Sequence, residues 1–197
     1  SMDKEDLNIQ KYFGDKKDGF YVDVGCFHPM DRNNTYLLYL NNWRGINIDI
    51  SQFSIDLFNF MRPDDHNIRC AVSDKNQIVK IFFQKKLSQL STIDEEQAKK
   101  VFQGKIKSEE IQSYTLNNIL EKSKFYNKEI DLLDIDAEGT DYKVLLGLNF
   151  EKYKPKLICV EIYNKDIKDD KIYKLLTNKG YSLIWSNIFS HLFEISQ

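Results

Sequence analysis

The sequence predicts an α/β protein: a mostly parallel sheet with helices on both faces and an antiparallel hairpin at its carboxyl end. Three observations lead there. Short apolar runs alternate with helical patterns along the chain, as in strands joined by crossover helices. Two later runs, "IDLLDI" at 130–135 and "LICVEI" at 157–162, are apolar apart from acids at or near their ends, which suits strands buried on both faces. The chain closes with "YSLIWS" and "SHLFEIS", two strand-like runs a few residues apart, and these read as a hairpin.

The elements follow in order. Residues 3–17 are polar, with Leu7, Ile9, Tyr12 and Phe13 at roughly helical spacing, and predict a short leading helix. A strand at 20–24 precedes a helix at 33–42 whose Leu37, Leu38 and Leu40 face inward. A strand at 46–50, a helix at 53–60 and a third strand at 68–72 come next. The run "IVKIFF" at 78–83 is an added strand rather than a core one. Residues 84–113 lack strong periodicity, are polar with Ser88, Ser91 and Thr92, and set six lysines against five acids. That balance describes a solvated face, and the stretch is the candidate lid or acceptor-binding insertion. A helix at 142–148 joins the two buried strands, and another at 170–178 is closed by Gly180. With no repeat and no linker, residues 1–197 read as one domain. One antiparallel strand in a seven-stranded, otherwise parallel sheet is the layout of Rossmann-like class I methyltransferases, at the level of fold alone.

Composition narrows the function classes. At 42% hydrophobic and 29% charged residues the chain is an ordinary globular protein. A net charge of −2 gives no global pull towards nucleic acid or an anionic membrane, so neither is expected as a partner. Cys26, Cys70 and Cys159 are far apart, odd in number and without a CxxC pair, so buried reduced thiols are favoured over disulfides or zinc. No apolar run reaches a membrane span and the amino terminus has no signal-peptide pattern, which predicts a cytoplasmic protein. Ser1 ahead of Met2 reads as a tag scar.

Ligands of open α/β sheets bind beyond the carboxyl ends of the strands, and polar residues gather at that end of five predicted strands. The first delivers Asp23 and Gly25, followed by His28 and Asp31; the second Asp49, Ile50 and Ser51; the third Ala71, Val72, Ser73 and Asp74. The fourth delivers Asp136, Glu138 and Gly139, and the fifth Glu161, with Tyr163 and Asn164 behind it. Asp49 stands where a nucleoside-binding sheet places an acceptor for ribose hydroxyls, and equally where an acid would cap the next helix. Asp23, inside an apolar strand, needs hydrogen bonds and either fixes the turn amides or meets a cationic ligand group. His28 is a candidate base, although bracing the turn before Pro29 explains it more simply.

The turn at Gly25 lacks both G-x-G-x-x-G and G-x-x-x-x-G-K-[ST], and Cys26-Phe27-His28 after the glycine is bulky. That argues against NAD, FAD and ATP. A cationic sulfonium nucleoside needs no anion cradle and tolerates acidic neighbours, so S-adenosylmethionine suits this rim better than any phosphorylated cofactor.

The stretches "FYVDVGCFHPMDRNNTYLLYLNNWRGINIDIS" and "IDLLDIDAEGTDYKVLLGLNFEKYKPKLICVEI", with "AVSD" and "YTLNNIL" between them, closely resemble the FkbM-type methyltransferases, S-adenosylmethionine-dependent O-methyltransferases that act on sugars, glycans or other small molecules. The resemblance implies that Asp23 and Gly25 form the first cofactor motif, with Asn34 and Thr35 opening the helix beside it. It implies that Asp49, with Ile50 and Ser51 next to it, takes the ribose and that Ala71 and Val72 flank the adenine. Asp136 and Glu138 are implied near the transferred methyl group, with Glu161 behind them. Where many relatives carry small residues, this chain has Cys26-Phe27 and His28-Pro29.

The leading expectation is methyl transfer to a hydroxyl of a sugar, glycan precursor or other small molecule. An alcohol needs its proton drawn off, for which Asp136 is the first candidate; a divalent metal held by Asp136 and Glu138 ranks below a direct base, and no metal site is expected. Lys85, Lys86, Lys99 and Lys100 lie where an anionic acceptor would meet them, though solvation is their simpler role. A non-catalytic binding module and a nicotinamide-dependent oxidoreductase are the rival readings.

Overall fold

The computed structural model describes residues 4–85 and 90–196; Lys86 and Ser88 of the polar insertion lie outside them. Ten strands and seven α-helices are present among the described residues. They are α1 (Glu5–Phe13), β1 (Phe20–Val24), α2 (Tyr36–Leu40), β2 (Arg44–Asp49), α3 (Gln52–Met61), β3 (His66–Arg69), β4 (Ala71–Val72), β5 (Gln77–Phe83) and α4 (Glu95–Val101). Then come β6 (Lys107–Tyr114), α5 (Leu116–Lys122), β7 (Leu132–Ile135), α6 (Asp141–Leu146), β8 (Leu157–Glu161), a 3₁₀ turn (Ile167–Asp169), α7 (Lys171–Asn178), β9 (Tyr181–Ser186) and β10 (Ser190–Ile195).

The main sheet has seven strands in the order β3-β2-β1-β7-β8-β10-β9, with β10 antiparallel to both β8 and β9. Its continuous apolar strands are apolar because both faces are covered. Phe20, Val22, Val24, Leu133, Ile135, Ile158 and Val160 pack with Leu116, Ile119, Val144, Leu145 and Leu176 of α5, α6 and α7. On the other face Tyr21, Leu132, Leu157 and Leu192 pack with Ile9 of α1, Leu38 of α2 and Trp43. Strand order reverses between β1 and β7, so the crevice that an open sheet offers a ligand lies beyond their carboxyl ends.

Three local expectations need correction. The helix predicted at 33–42 shrinks to α2 because the side chains of Asn33 and Thr35 are taken by hydrogen bonds to β1, and Leu40 is 61% exposed. The strand predicted at 68–72 breaks at Cys70: β3 follows β2, whereas β4 leaves the sheet to pair with β6. The insertion at 84–113 is not irregular. It carries α4 and β6, and β6 pairs along its length with β5 to form, with β4, a separate three-stranded sheet. The added strand at 78–83 belongs to this smaller sheet. All three cysteines are buried free thiols.

Candidate functional site

Beneath the first turn lies a buried polar layer. Asp23, 2% exposed, accepts hydrogen bonds from Asn33 Nδ2 at 2.9 Å and Thr35 Oγ1 at 2.8 Å. Arg62, 1% exposed at the end of α3, donates to Thr35 Oγ1 at 2.9 Å, Asn33 Oδ1 at 2.8 Å, Tyr21 Oη at 3.1 Å and the Pro29 carbonyl. Asp65 completes the layer by accepting from Tyr21 Oη at 2.5 Å and Gly45 N at 2.8 Å. Burial pushes the Asp23 carboxyl up, and Thr35, the Arg62 charge and Asn33 pull it back. Asn34 Nδ2 donates to Asp134 at 3.2 Å. Asp23, Asn34 and Thr35 therefore stand behind the cleft rather than on its wall, and hold the turn in place. Arg62, Asn33 and Asp65 were missed from sequence; the only signal was Asp23 itself, an acid in an apolar strand that had to find donors.

The cleft opens above this layer, between the carboxyl ends of β1, β2, β4 and β7. Gly25, Asp49, Ile50, Ala71, Val72 and Asp136 all line it, together with Arg32 and Ser91–Ile93 of the insertion. Gly25 has φ +85°, and a Cβ there would lie 1.8 Å from the Asp136 carbonyl oxygen; only glycine lets the two strand ends approach this closely. The turn amides are already used. Gly25 N and Cys26 N both donate to the Ile48 carbonyl, at 2.9 and 3.2 Å, and Phe27 N donates to Asp49 Oδ2 at 2.9 Å.

Asp49 Oδ1 accepts from Ser51 N at 2.7 Å. Burial pushes its carboxyl up to about 6 against the hydrogen bonds from Ser51 and Phe27. Each of its oxygens keeps acceptor capacity beyond these bonds. Ser51 caps α3, its Oγ accepting from Ser54 N at 3.3 Å, and lines a neighbouring groove rather than the cleft.

At the β7 end of the cleft the carboxylates gather. Asp136 N is fixed to the Val24 carbonyl at 2.9 Å. The loop that follows passes through two left-handed residues, Glu138 at φ +47° and Gly139 at φ +90°. Asp141, which sequence reasoning passed over, shapes it: its carboxylate accepts from Ala137 N at 3.1 Å and Gly139 N at 3.2 Å. The protein around Asp136 removes enough water to push its carboxyl well above the usual range, and Glu161, Glu138 and Asp141 add to the shift. The residue is nonetheless exposed on the cleft wall.

Glu138 is pushed up to about 8 by burial and then by Glu161 and Asp141. Glu161 is pushed up to about 7 by burial, although the Tyr163 hydroxyl donates to it. Tyr163 and Phe189, both partly exposed, form a ring pair 5.2 Å apart beside these acids. The influences that raise Glu138 and Glu161 are burial and neighbouring acids, and Arg32 lines the same cleft. Among the described residues no group of three or more His, Cys, Asp or Glu is arranged to hold a metal ion.

His28 stands apart from this chemistry. Its Nδ1 accepts from Met30 N at 3.2 Å and Asp31 N at 2.9 Å, which closes its own turn, and it is not among the residues lining the cleft.

Comparison with known proteins supplies a family. A family model described as the methyltransferase FkbM domain matches residues 18–183. Among solved structures, the methyltransferase FkbM from Methylobacillus flagellatus KT aligns with a TM-score of 0.55 at 11% identity, covering 91% of this chain and 44% of that one. The likeness is one of fold, and this chain spans less than half the length of that protein. A proposed RNA methyltransferase from Pyrococcus horikoshii aligns with a TM-score of 0.47 at 10% identity, over 98% of this chain and 83% of its own. No curated protein matches the chain.

Proposed function

Since the chain belongs to the FkbM methyltransferase family, we propose that it transfers a methyl group from S-adenosylmethionine to a hydroxyl of an uncharged acceptor, a sugar or glycan precursor first among them. The observation that carries the cofactor is the spent turn. Three successive amides, those of Gly25, Cys26 and Phe27, are bound within the protein, so this turn has no free N–H cradle of the kind a pyrophosphate requires. A nucleoside without phosphate loses nothing there.

Asp49, with acceptor capacity left on the cleft wall, would take the ribose hydroxyls, and Ile50, Ala71 and Val72 would enclose the adenine. When bound, the cofactor supplies an electrophilic methyl carbon on a sulfonium sulfur. The residues of this chain orient the acceptor and manage its proton. Asp136 would take the proton of the acceptor hydroxyl, which makes that oxygen the nucleophile for the methyl carbon. A raised carboxyl is a stronger base once it has lost its proton, and burial raises Asp136, so turnover should increase with pH as that proton leaves.

The acceptor's character follows from the same surroundings. Asp136, Glu138 and Glu161 gathered at this end of the cleft disfavour a phosphate there, and Arg32 lines the cleft elsewhere. The carboxylates accept hydrogen bonds from hydroxyls, and the Tyr163–Phe189 pair offers an apolar ring face.

Transfer of labelled methyl groups to a panel of neutral and phosphorylated sugars tests the reading. Neutral sugars are expected to accept the label. Asp136→Asn is expected to bind the cofactor and lose about 10²–10⁴-fold in turnover, the usual contribution of a general base. Full activity in Asp136→Asn removes that residue from the role, and labelling of phosphorylated sugars alone contradicts the acceptor assignment.

A further inference from the structure

The insertion carries a strap, residues 90–94, that crosses from the small sheet to the carboxylate end of the cleft. At its centre is Thr92, which is 1% exposed. Its backbone pairs in both directions with Phe82 of β5, at 2.8 and 3.2 Å. Its Oγ1 accepts from Asp94 N at 3.0 Å and donates to the Glu138 carbonyl at 2.8 Å. Ile93 packs on the small sheet's core around Ala71, Ile81 and Ile111, and the Gln97 side chain lies 3.4 Å from where a Gly139 Cβ would stand. The strap is thus bolted on one side to the small sheet and on the other to the loop that bears Asp136 and Glu138.

Glu138 gives that bolt a purpose. A non-glycine residue at φ +47° keeps a left-handed conformation only where its surroundings over-determine it. The Asp141 carboxylate fixes the amides of Ala137 and Gly139 on either side of it, and Thr92 holds its carbonyl. One of these constraints is local to the loop; the other comes from a different element.

We propose that Thr92 is a positioning residue: its hydroxyl locks the Glu138 peptide in place, so that the strap and the 136–139 loop open and close as one unit. The consequence for methyl transfer rests on the proposed function, whereas the mechanical coupling does not. An acceptor seated against the strap would bear on the orientation of Asp136 and Glu138 through this hydrogen bond.

Amide hydrogen exchange on the full chain reads the coupling directly. Thr92→Val is expected to speed exchange at Ala137, Gly139 and Thr140 by about five- to tenfold, as losing one buried hydrogen bond does, while Thr92→Ser leaves them near wild type. In the transfer assay Thr92→Val lowers kcat by a similar factor, and Thr92→Ser restores it. Unchanged loop amides in Thr92→Val, or equal acceleration in both variants, would overturn the coupling. Faster loop amides with an unchanged kcat would overturn the positioning role. Should Thr92→Val not fold, the wild type decides the matter: the Phe82 and Thr92 amides must exchange with the same opening rate as the loop, and separate rates contradict the proposal. A wild-type chain that binds no S-adenosylmethionine overturns the methyl-transfer reading and leaves the exchange comparison standing.

Discussion

At Arg62 a single side chain decides whether the first turn keeps its shape. Its guanidinium reaches the Pro29 carbonyl, Asn33, Thr35 and Tyr21 from a buried position between Asp23 and Asp65. Arg62→Met would leave two carboxyls buried without their cation, and breaking a buried charge pair from one side costs roughly 3–5 kcal/mol. Urea unfolding should show a loss of that order; a loss within the range of an ordinary surface substitution contradicts this account of the layer. Arg62→Lys keeps the charge but not the fork, and should recover only part of the loss.

The sequence made Gly25 legible, because a glycine after an apolar strand announces a turn, and Asp49 legible, because it closes the second strand. It could not place Asp23 behind the cleft. That depends on Arg62, nearly forty positions away, being carried under β1 by the packing of α3, and burial of a long cation leaves no periodic signature.

Among the elements, the small sheet shows how far pattern reading extends. β5 was legible as a strand apart from the core. β6, "KSEEIQSY", was not, because only Ile111 and Ser113 of its eight residues are buried, too few inward positions to set a period of two. α4 carried a signal that went unused: Asp94 ahead of two acids, with Lys99 and Lys100 in its last turn, is the charge order of a capped helix. The Asp94 carboxylate accepts from Glu96 N at 2.9 Å and Gln97 N at 3.0 Å. Asp94→Ala should therefore destabilise the insertion by about 1 kcal/mol, typical of a lost cap, seen as faster amide exchange at Ala98 and Phe102. Unaltered exchange there would mean that α4 is held by its contacts rather than its cap. Lys99 of this helix pairs with Glu95 and Glu96, so an anionic acceptor would have to displace them.

Over the whole molecule, acids divide by pole. At the amino ends of the strands Asp131 accepts from Lys16 at 2.5 Å, Lys156 at 2.8 Å and Phe20 N at 3.1 Å. Burial acts to raise its carboxyl, but these bonds outweigh it and hold it low. At the carboxyl ends the acids are raised chiefly by burial: Asp49 and Asp141 to about 6, Glu161 to about 7, Asp134 and Glu138 to about 8. For a raised carboxyl the folded state binds more protons than the unfolded one between about pH 4 and the folded value, so stability falls as pH rises through that window. The melting temperature of the free protein should accordingly be higher near pH 5 than near pH 8. Asp131 contributes the opposite slope below about pH 4, and His66 and His191, lowered by burial, contribute it up to about pH 6.5. A melting temperature that climbs from pH 5 to pH 8 would show that the carboxylate end is not strained by its own charge.

The arrangement gathers the candidate site residues where strand order reverses. It places Asp49 at one end of the cleft and Asp136, Glu138 and Glu161 towards the other, with a turn between them whose amides are spent. The most direct measurement of that claim is calorimetric titration of the wild-type chain and of Asp49→Ala with S-adenosylmethionine, its demethylated product and NAD. Both sulfur nucleosides should bind the wild type, Asp49→Ala should weaken them by about tenfold or more, as loss of a charge-assisted hydrogen bond does, and NAD should not bind. Binding of NAD, with neither sulfur nucleoside bound at high micromolar concentration, would contradict the account.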